Sequence, residues 1–189
     1  MLFCLTCTLH SLHDSFLIMA TAIYPGTFDP VTSGHLDILN RACHIFDRVI
    51  VGVAYNLQKK PLFTAEERIE LIASNLDKKG KIEVMSFDGL VVDFARQQGA
   101  SVLIRGLRAV SDFEFEFRMA LANHRLSPDI EYMALITAEE HTFLSSTTVR
   151  EIASRGGDVS SMVPPYVEEA LKKTLIDIED KDVPNSIRD

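Results

Sequence analysis

Between Tyr24 and Leu39 the chain reads YPGTFDPVTSGHLDIL, and two of its residues, Thr27 and His35, are of the type that donates hydrogen bonds to an anion. Gly26, Asp29 and Pro30 are what a tight loop needs for turning. Turning alone does not call for a hydroxyl just after a strand and an imidazole where the next helix opens. A helix N-terminus presents unpaired backbone N–H groups and the positive end of its dipole, so a histidine there stands beside a surface suited to phosphate. The same dipole disfavours an imidazolium, which predicts a neutral N–H donor. A lone histidine in a first helical turn is ordinarily a surface residue, as His44 and His124 are expected to be. The Gly-Thr-Phe-Asp-Pro loop before His35 favours the functional reading. Gly34 is expected to leave room for a ligand to approach the backbone.

These residues need elements that bring them together. Apolar runs and amphipathic stretches alternate along the chain. TAIYPGTF, RVIVGVAYN, KIEVMSF, SVLIRGL and DIEYMALIT read as five strands, the second a continuous apolar run of the kind a parallel sheet buries on both faces. Between them, GHLDILNRACHIF sets Leu36, Leu39, Ala42, Cys43 and Phe46 on one helical face. TAEERIELIASNL opens with Thr64 and Glu67 at capping-box spacing. GLVVDFARQQGA is a short helix stopped by Gly99, and SDFEFEFRMALANHRL is expected to carry Phe113, Phe117, Ala120 and Leu121 inward. SSTTVREIASRGG and PPYVEEALKKTL are further helices, the last with proline at its start, followed by IEDKDVPNSIRD as a frayed tail. Five strands separated by helices predict an α/β fold: a single Rossmann-like doubly wound domain with a five-stranded parallel sheet and flanking helices.

Such sheets bind ligands beyond the carboxyl ends of their strands. The polar residues fall there. Thr27 and His35 follow strand one, Lys59 and Lys60 strand two, Arg105 and Arg108 strand four, and Ser145 to Arg150 strand five. No Gly-x-Gly-x-x-Gly follows the first strand and no Gly-Lys-Ser/Thr occurs anywhere, so neither a dinucleotide oxidoreductase nor a P-loop phosphotransferase is favoured.

The 189 residues suffice for one domain, and 47% hydrophobic with 24% charged residues is ordinary globular composition. A net charge of −8 argues against a general nucleic-acid surface, so any phosphate site must be local. Cys4, Cys7 and Cys43 make no disulfide framework and suit a reduced, cytoplasmic setting. The apolar start carries no Lys or Arg before Arg41 and is broken by His10, His13 and Asp14, which fits neither a secretory signal nor a membrane span. Its Cys-x-x-Cys has a following His spacing too tight for a usual zinc finger. Residues 1–18 are expected to be a disordered or non-essential extension, with Met19 a natural start. Residues 19–176 then form the domain and 177–189 the tail.

The opening stretch, together with LIRGLRAVSDFEFE and FLSSTTVRE, resembles the phosphopantetheine adenylyltransferases of the nucleotidyltransferase superfamily. The superfamily signatures stand as Thr32-Ser33-Gly34-His35 and Ser145-Ser146-Thr147-Thr148-Val149-Arg150, and Ile104-Arg105-Gly106-Leu107-Arg108 narrows the likeness to this one enzyme family, over roughly Ala22 to Leu175. The resemblance implies transfer of the adenylyl group of ATP to the 4′-phosphate of phosphopantetheine, giving dephospho-coenzyme A and pyrophosphate. It implies His35 as transition-state stabiliser, with Thr27, Lys59 and Arg105 as its partners in catalysis. For ATP it implies Thr27, Phe28, His35, Gly106, Leu107, Arg108, Glu116, His141, Thr142, Phe143, Leu144, Ser145, Ser146 and Thr147. For phosphopantetheine it implies Thr27, Lys59, Val91 and Arg105. Magnesium would arrive with ATP, carried mostly by the phosphates, with no protein metal ligands. A homohexamer and feedback by coenzyme A are also implied, with no nucleic-acid or membrane partner.

The attacking phosphate is already anionic, so the chemistry needs aimed donors rather than a general base. Ser145 to Thr147 can N-cap a helix and bind phosphate at the same helix start. Ordinary readings remain beside these: solvated acid for Glu116, surface ion pairing for the arginines, turn-shaping for Asp29 and Pro30. One departure from the family is Phe115, where tyrosine is frequent, so a phenolic role there is lost and a packing role survives. The rivals are a relative acting on nicotinate mononucleotide or glycerol 3-phosphate, and a nucleotide-binding module without catalysis. Thr32, where those relatives usually carry histidine, and the Ile-Arg-Gly-Leu-Arg turn argue against the first. Intact Thr27, His35, Lys59 and Arg105 argue against the second.

Overall fold

The computed structural model describes residues 20–55, 61–76 and 80–182. The extension at 1–18, Met19, Lys59 and Lys60 lie outside the described residues. The elements run β1 Thr21–Gly26, α1 Ser33–Ile45, β2 Arg48–Ala54, α2 Ala65–Ala73, β3 Ile82–Phe87, α3 Val91–Gln97, β4 Val102–Leu107, α4 Val110–Leu126, β5 Glu131–Ile136, a 3-10 turn at Glu139–His141, α5 Ser146–Ala153 and α6 Pro165–Asp182. The five strands pair in the order β3-β2-β1-β4-β5, all parallel. This is the expected α/β, Rossmann-like sheet with flanking helices. The chain winds outward from β1 in one direction, then returns to β1's other side with β4. That reversal is where such sheets open a crevice.

Strand periodicity divides the core into two layers. Val49, Val51 and Val53 of β2 face α1, α2, α5 and α6 together with Tyr24 and Ile104, while Ile50 joins Ile23 and Leu103 against Val92, Phe94 and Ala95 of α3. Ile50 is fully buried; truncating such a side chain to alanine costs about 2–5 kcal/mol. The helix boundaries follow local chemistry. Thr64 and Glu67 form the expected capping box, with Glu67 N–H to Thr64 Oγ1 at 3.2 Å and Thr64 N–H to Glu67 Oε2 at 2.8 Å. Beyond α3 the chain turns at Gly99, whose φ of +65° a side chain would resist. On α1 the buried residues are Gly34, Ile38, Leu39 and Ala42, close to the predicted face.

Three expectations are corrected. Arg105 lies inside β4 and not after it, because β4 and β5 stay paired as far as Leu107 and Ile136. Residues 177–182, expected in a frayed tail, are helical, since α6 continues to Asp182. The third concerns α4. Phe113, Phe117 and Leu121 are 53%, 52% and 57% exposed, and Ala120 is only half-buried. The buried residues among those described on α4 are Glu116 and Asn123. The helix is turned polar side in because Glu116 pairs with Arg105 of the sheet, and this carries the phenylalanines outward.

Candidate active site

A cleft of about 670 Å³ opens over the carboxyl ends of β1 and β4, lined by the loop after β1, the start of α1, Pro61 before α2, the end of β4 with the start of α4, and the approach to α5. Its size suits a nucleotide-scale ligand.

His35 occupies the third position of α1, and Thr32 is the N-cap. The Thr32 side chain accepts from His35 N–H at 3.4 Å, and the Thr32 N–H donates to His35 Nδ1 at 3.0 Å. This is a capping box with histidine where glutamate or glutamine is usual. It decides the tautomer: Nδ1 accepts, so the ring proton is on Nε2, on the side of the ring away from Thr32, and His35 lines the cleft. Burial, followed by the charges of Arg108 and Arg105, lowers the imidazole pKa from 6.5 to about 4. The neutral donor expected from the helix dipole is therefore produced chiefly by desolvation. Phe28 packs edge-on against the imidazole with ring centroids 5.1 Å apart, and against Tyr24 at 5.4 Å.

Two glycines make this packing possible. A Cβ at Gly26 would stand 2.8 Å from the Phe28 ring. One at Gly34 would stand 3.3 Å from Cβ of His141, so the space expected for a ligand is taken by the histidine of the 3-10 turn. Phe28 itself has φ of +50°, a left-handed conformation that costs a bulky residue strain of order 1 kcal/mol or more.

Each arginine of the cleft is held by a carboxylate and a backbone carbonyl. Arg105 donates through Nε and Nη2 to Glu116, at 3.0 and 2.7 Å, and through Nη1 to the Pro25 carbonyl at 2.6 Å. The Tyr132 hydroxyl donates to the other oxygen of Glu116. Arg108 donates to Asp112 at 2.9 Å and to the Leu144 carbonyl at 2.6 Å, tying the end of β4 to the approach of α5. Arg150 pairs with Asp29 at 3.2 Å, and Asp29 also accepts from the N–H groups of Leu62 and Phe63 at 2.9 and 3.0 Å. Asp29 is thus more than a turn residue: it joins the segments after β1 and β2 to α5. Bidentate guanidinium pairs of this kind fix orientation as well as charge.

At α5, Ser145 is the N-cap, accepting from Thr148 N–H at 3.0 Å. The Ser146 hydroxyl donates to the Pro30 carbonyl at 2.8 Å, while Thr147 is exposed. The helix start faces the cleft through Ser145, Ser146 and Thr147.

A cytidylyltransferase-like family description matches residues 23–152, from β1 through to the last turn of α5. The chain belongs to the cytidylyltransferase-like family. This places it in the nucleotidyltransferase superfamily. The nucleotidyltransferase fold is shared with solved structures of low identity. One is a Vibrio parahaemolyticus protein provisionally named a nicotinate-nucleotide adenylyltransferase, 21% identical, TM-score 0.60, with 84% of this chain and 95% of that one covered. Another is a bifunctional NMN adenylyltransferase/ADP ribose pyrophosphatase from Francisella tularensis, 14% identical, TM-score 0.63, covering 87% of this chain; the match spans only 53% of that chain. A third is the Plasmodium falciparum nicotinic acid mononucleotide adenylyltransferase complexed with NaAD, 16% identical, TM-score 0.59, with 85% and 96% covered.

Of the residues singled out in this nucleotidyltransferase, the cleft gathers Thr27, Phe28, His35, Arg105, Gly106, Arg108, Glu116, His141, Leu144, Ser145, Ser146 and Thr147. Leu107, Thr142, Phe143 and Val91 do not line it. Phe143 is 62% exposed, and Val91 opens α3 beyond β3. Lys59 lies outside the described residues. Sequence reasoning missed the structural work of Asp29, Asp112, Tyr132 and Arg68. Asp112 stands four residues after Arg108, a pairing distance on a helix that could have flagged it.

Proposed function

We propose that this chain is a pantetheine-phosphate adenylyltransferase acting on ATP and 4′-phosphopantetheine. The observation that carries adenylyl transfer is the aim of His35: a neutral Nε2–H held by Thr32 at the start of α1, between Arg105, Arg108 and the start of α5. Acceptor choice rests on the sequence likeness in Ile104 to Arg108 with Thr32.

An oxygen of the 4′-phosphate attacks the α-phosphorus of ATP in line. A new P–O bond forms, the bond from the α-phosphorus to the bridging oxygen breaks, and pyrophosphate leaves with that electron pair. No proton has to move and no covalent enzyme intermediate is needed. His35 donates to the α-phosphate oxygen as charge builds there. Arg108 and the start of α5, with Ser145 to Thr147, hold the polyphosphate. Arg105 meets the acceptor phosphate with the donors that Glu116 and Pro25 leave free, with Thr27 in the same cleft; the sequence likeness assigns Lys59 to the same phosphate. Glu116 acts first by holding Arg105, in addition to any contact with the ribose. Phe28 contributes its backbone, since its ring is buried against His35.

Magnesium would be carried by the phosphates. The carboxylates lining the cleft, Asp29, Asp112 and Glu116, are each engaged by an arginine, and no group of three or more His, Cys, Asp or Glu among the described residues is disposed to hold a metal. The exposed apolar side of α4, with Phe113, Phe117 and Leu121, supports self-association through this face, within the homohexamer that the sequence likeness implies. No helix among the described residues is long and apolar enough to cross a membrane; a cytoplasmic enzyme under feedback by coenzyme A completes the reading.

Pyrophosphate release from ATP tests it, with phosphopantetheine, nicotinate mononucleotide and glycerol 3-phosphate as acceptors. Turnover with phosphopantetheine and little with the others is expected. Preference for the mononucleotide, the direction in which the solved neighbours' names point, overturns the acceptor. No turnover with any acceptor leaves a binding module.

A further inference from the structure

Arg68 of α2 is 2% exposed, and no carboxylate among the described residues lies within ion-pair distance of it. A buried guanidinium without an ion pair is costly and has to be held by other acceptors. Those acceptors are four backbone carbonyls from three places. Nε donates to Phe63 and Thr64 at 3.1 and 3.2 Å, at the entry of its own helix. Nη1 donates to Thr27 at 2.7 Å and to Ala54 at 3.1 Å, at the exits of β1 and β2. One planar group therefore locks the loop that carries Thr27 to the end of the strand that leads toward Lys59.

The peptide between Thr27 and Phe28 is planar, so fixing its carbonyl on Arg68 turns the Phe28 N–H the opposite way. Thr27 and Phe28 both line the cleft, whereas Arg68 does not. Phe28 holds a positive φ that its ring alone would not choose, and such conformations persist when neighbours over-determine them. We propose that Arg68 is a positioning residue for phosphate binding, setting the Thr27–Phe28 peptide so that the threonine hydroxyl and the Phe28 N–H meet the nucleotide's phosphates. The inference rests on the nucleotide-binding part of the function proposed above. Lysine could not replace it, because a single ammonium lacks the fork that reaches the helix entry and both strand exits together.

The test compares Arg68→Gln and Arg68→Lys with the unaltered chain. Carbonyl-13C threonine with 15N phenylalanine isolates two Thr-Phe peptides, Thr27–Phe28 and Thr142–Phe143, the second a control to which Arg68 makes no hydrogen bond. ATP is titrated alone while both amides and the heat of binding are followed. In Arg68→Gln the Phe28 amide should move and lose its response to ATP, the Phe143 amide should stay, and Kd for ATP should rise roughly tenfold, the scale of one hydrogen bond to the phosphates. Arg68→Lys should fall between, and it decides the matter if the glutamine variant does not fold. A purely structural arginine would lower Tm while the folded protein kept its ATP Kd and Phe28 response, and that result overturns the proposal. Unaltered protein that binds ATP but does not use phosphopantetheine removes the acceptor assignment and leaves the Arg68 readouts intact. Protein that binds no ATP removes both.

Discussion

The N–H of Thr32 donates to Nδ1 of His35 at 3.0 Å, and this one bond sets which ring nitrogen carries the proton. The contact is a helix cap and, in the proposed mechanism, also the arrangement that orients the imidazole. It holds the ring through Nδ1 and leaves Nε2–H as the donor that the proposal assigns to phosphate.

His35→Ala should therefore lower kcat about 10²–10³-fold, the usual cost of losing such a donor. ATP affinity should fall far less, because Arg108 and the start of α5 still hold the polyphosphate. Glutamine is the informative replacement: its side-chain oxygen can accept from Thr32 N–H, and its amide can donate where Nε2–H did. Partial recovery of kcat in His35→Gln is expected in pyrophosphate-release kinetics. Near-normal kcat in a folded His35→Ala would end the proposed role.

The lowered pKa also has a stability consequence. Between pH 6.5 and about 4 the unfolded chain takes up a proton at His35 that the folded chain refuses. The stabilising contribution is complete above 6.5 and is lost as pH falls toward 4. His35→Gln has no such titration, so its urea midpoint should decline less than that of the unaltered protein across this window. Parallel declines would show that the imidazole titrates alike in both states.

Glu116 is 8% exposed and engages Arg105 and Tyr132 together. Glu116→Gln should cost about 1–3 kcal/mol, since it leaves the guanidinium under-partnered in a mostly buried place. It should also raise KM for the acceptor through a mis-aimed Arg105, seen in urea unfolding and steady-state kinetics. Unchanged stability would mean that the pair is a solvated one.

On α4 the apolar residues point outward, and a helix of this kind needs a partner surface. Phe117→Glu and Leu121→Glu should each convert a species of six chains into smaller ones in sedimentation velocity, with the fold intact by circular dichroism. A monomer in the unaltered protein would dismiss the hexamer.

Much of the architecture is legible in the sequence because it follows from short-range rules. Apolar runs of strand length, the Thr64 and Glu67 capping box, and the glycine after α3 each act within a few residues, and each is found as expected. Donors at strand ends can be read in the same way, so His35, Arg108 and the Ser145 N-cap are identifiable without any knowledge of packing. Other features depend on residues far apart in the chain. Asp29 reaches Leu62, Phe63 and Arg150, and Arg68 reaches Thr27, contacts with no local spacing to announce them. The facing of α4 is the clearest case. Phe113, Phe117, Ala120 and Leu121 recur at helical spacing, so periodicity alone points them inward, whereas in the fold Glu116 is the buried residue, paired with Arg105 of β4. Tertiary structure settles these points because a buried charge must find its partner wherever the fold has put it, and that requirement outweighs a weak local preference.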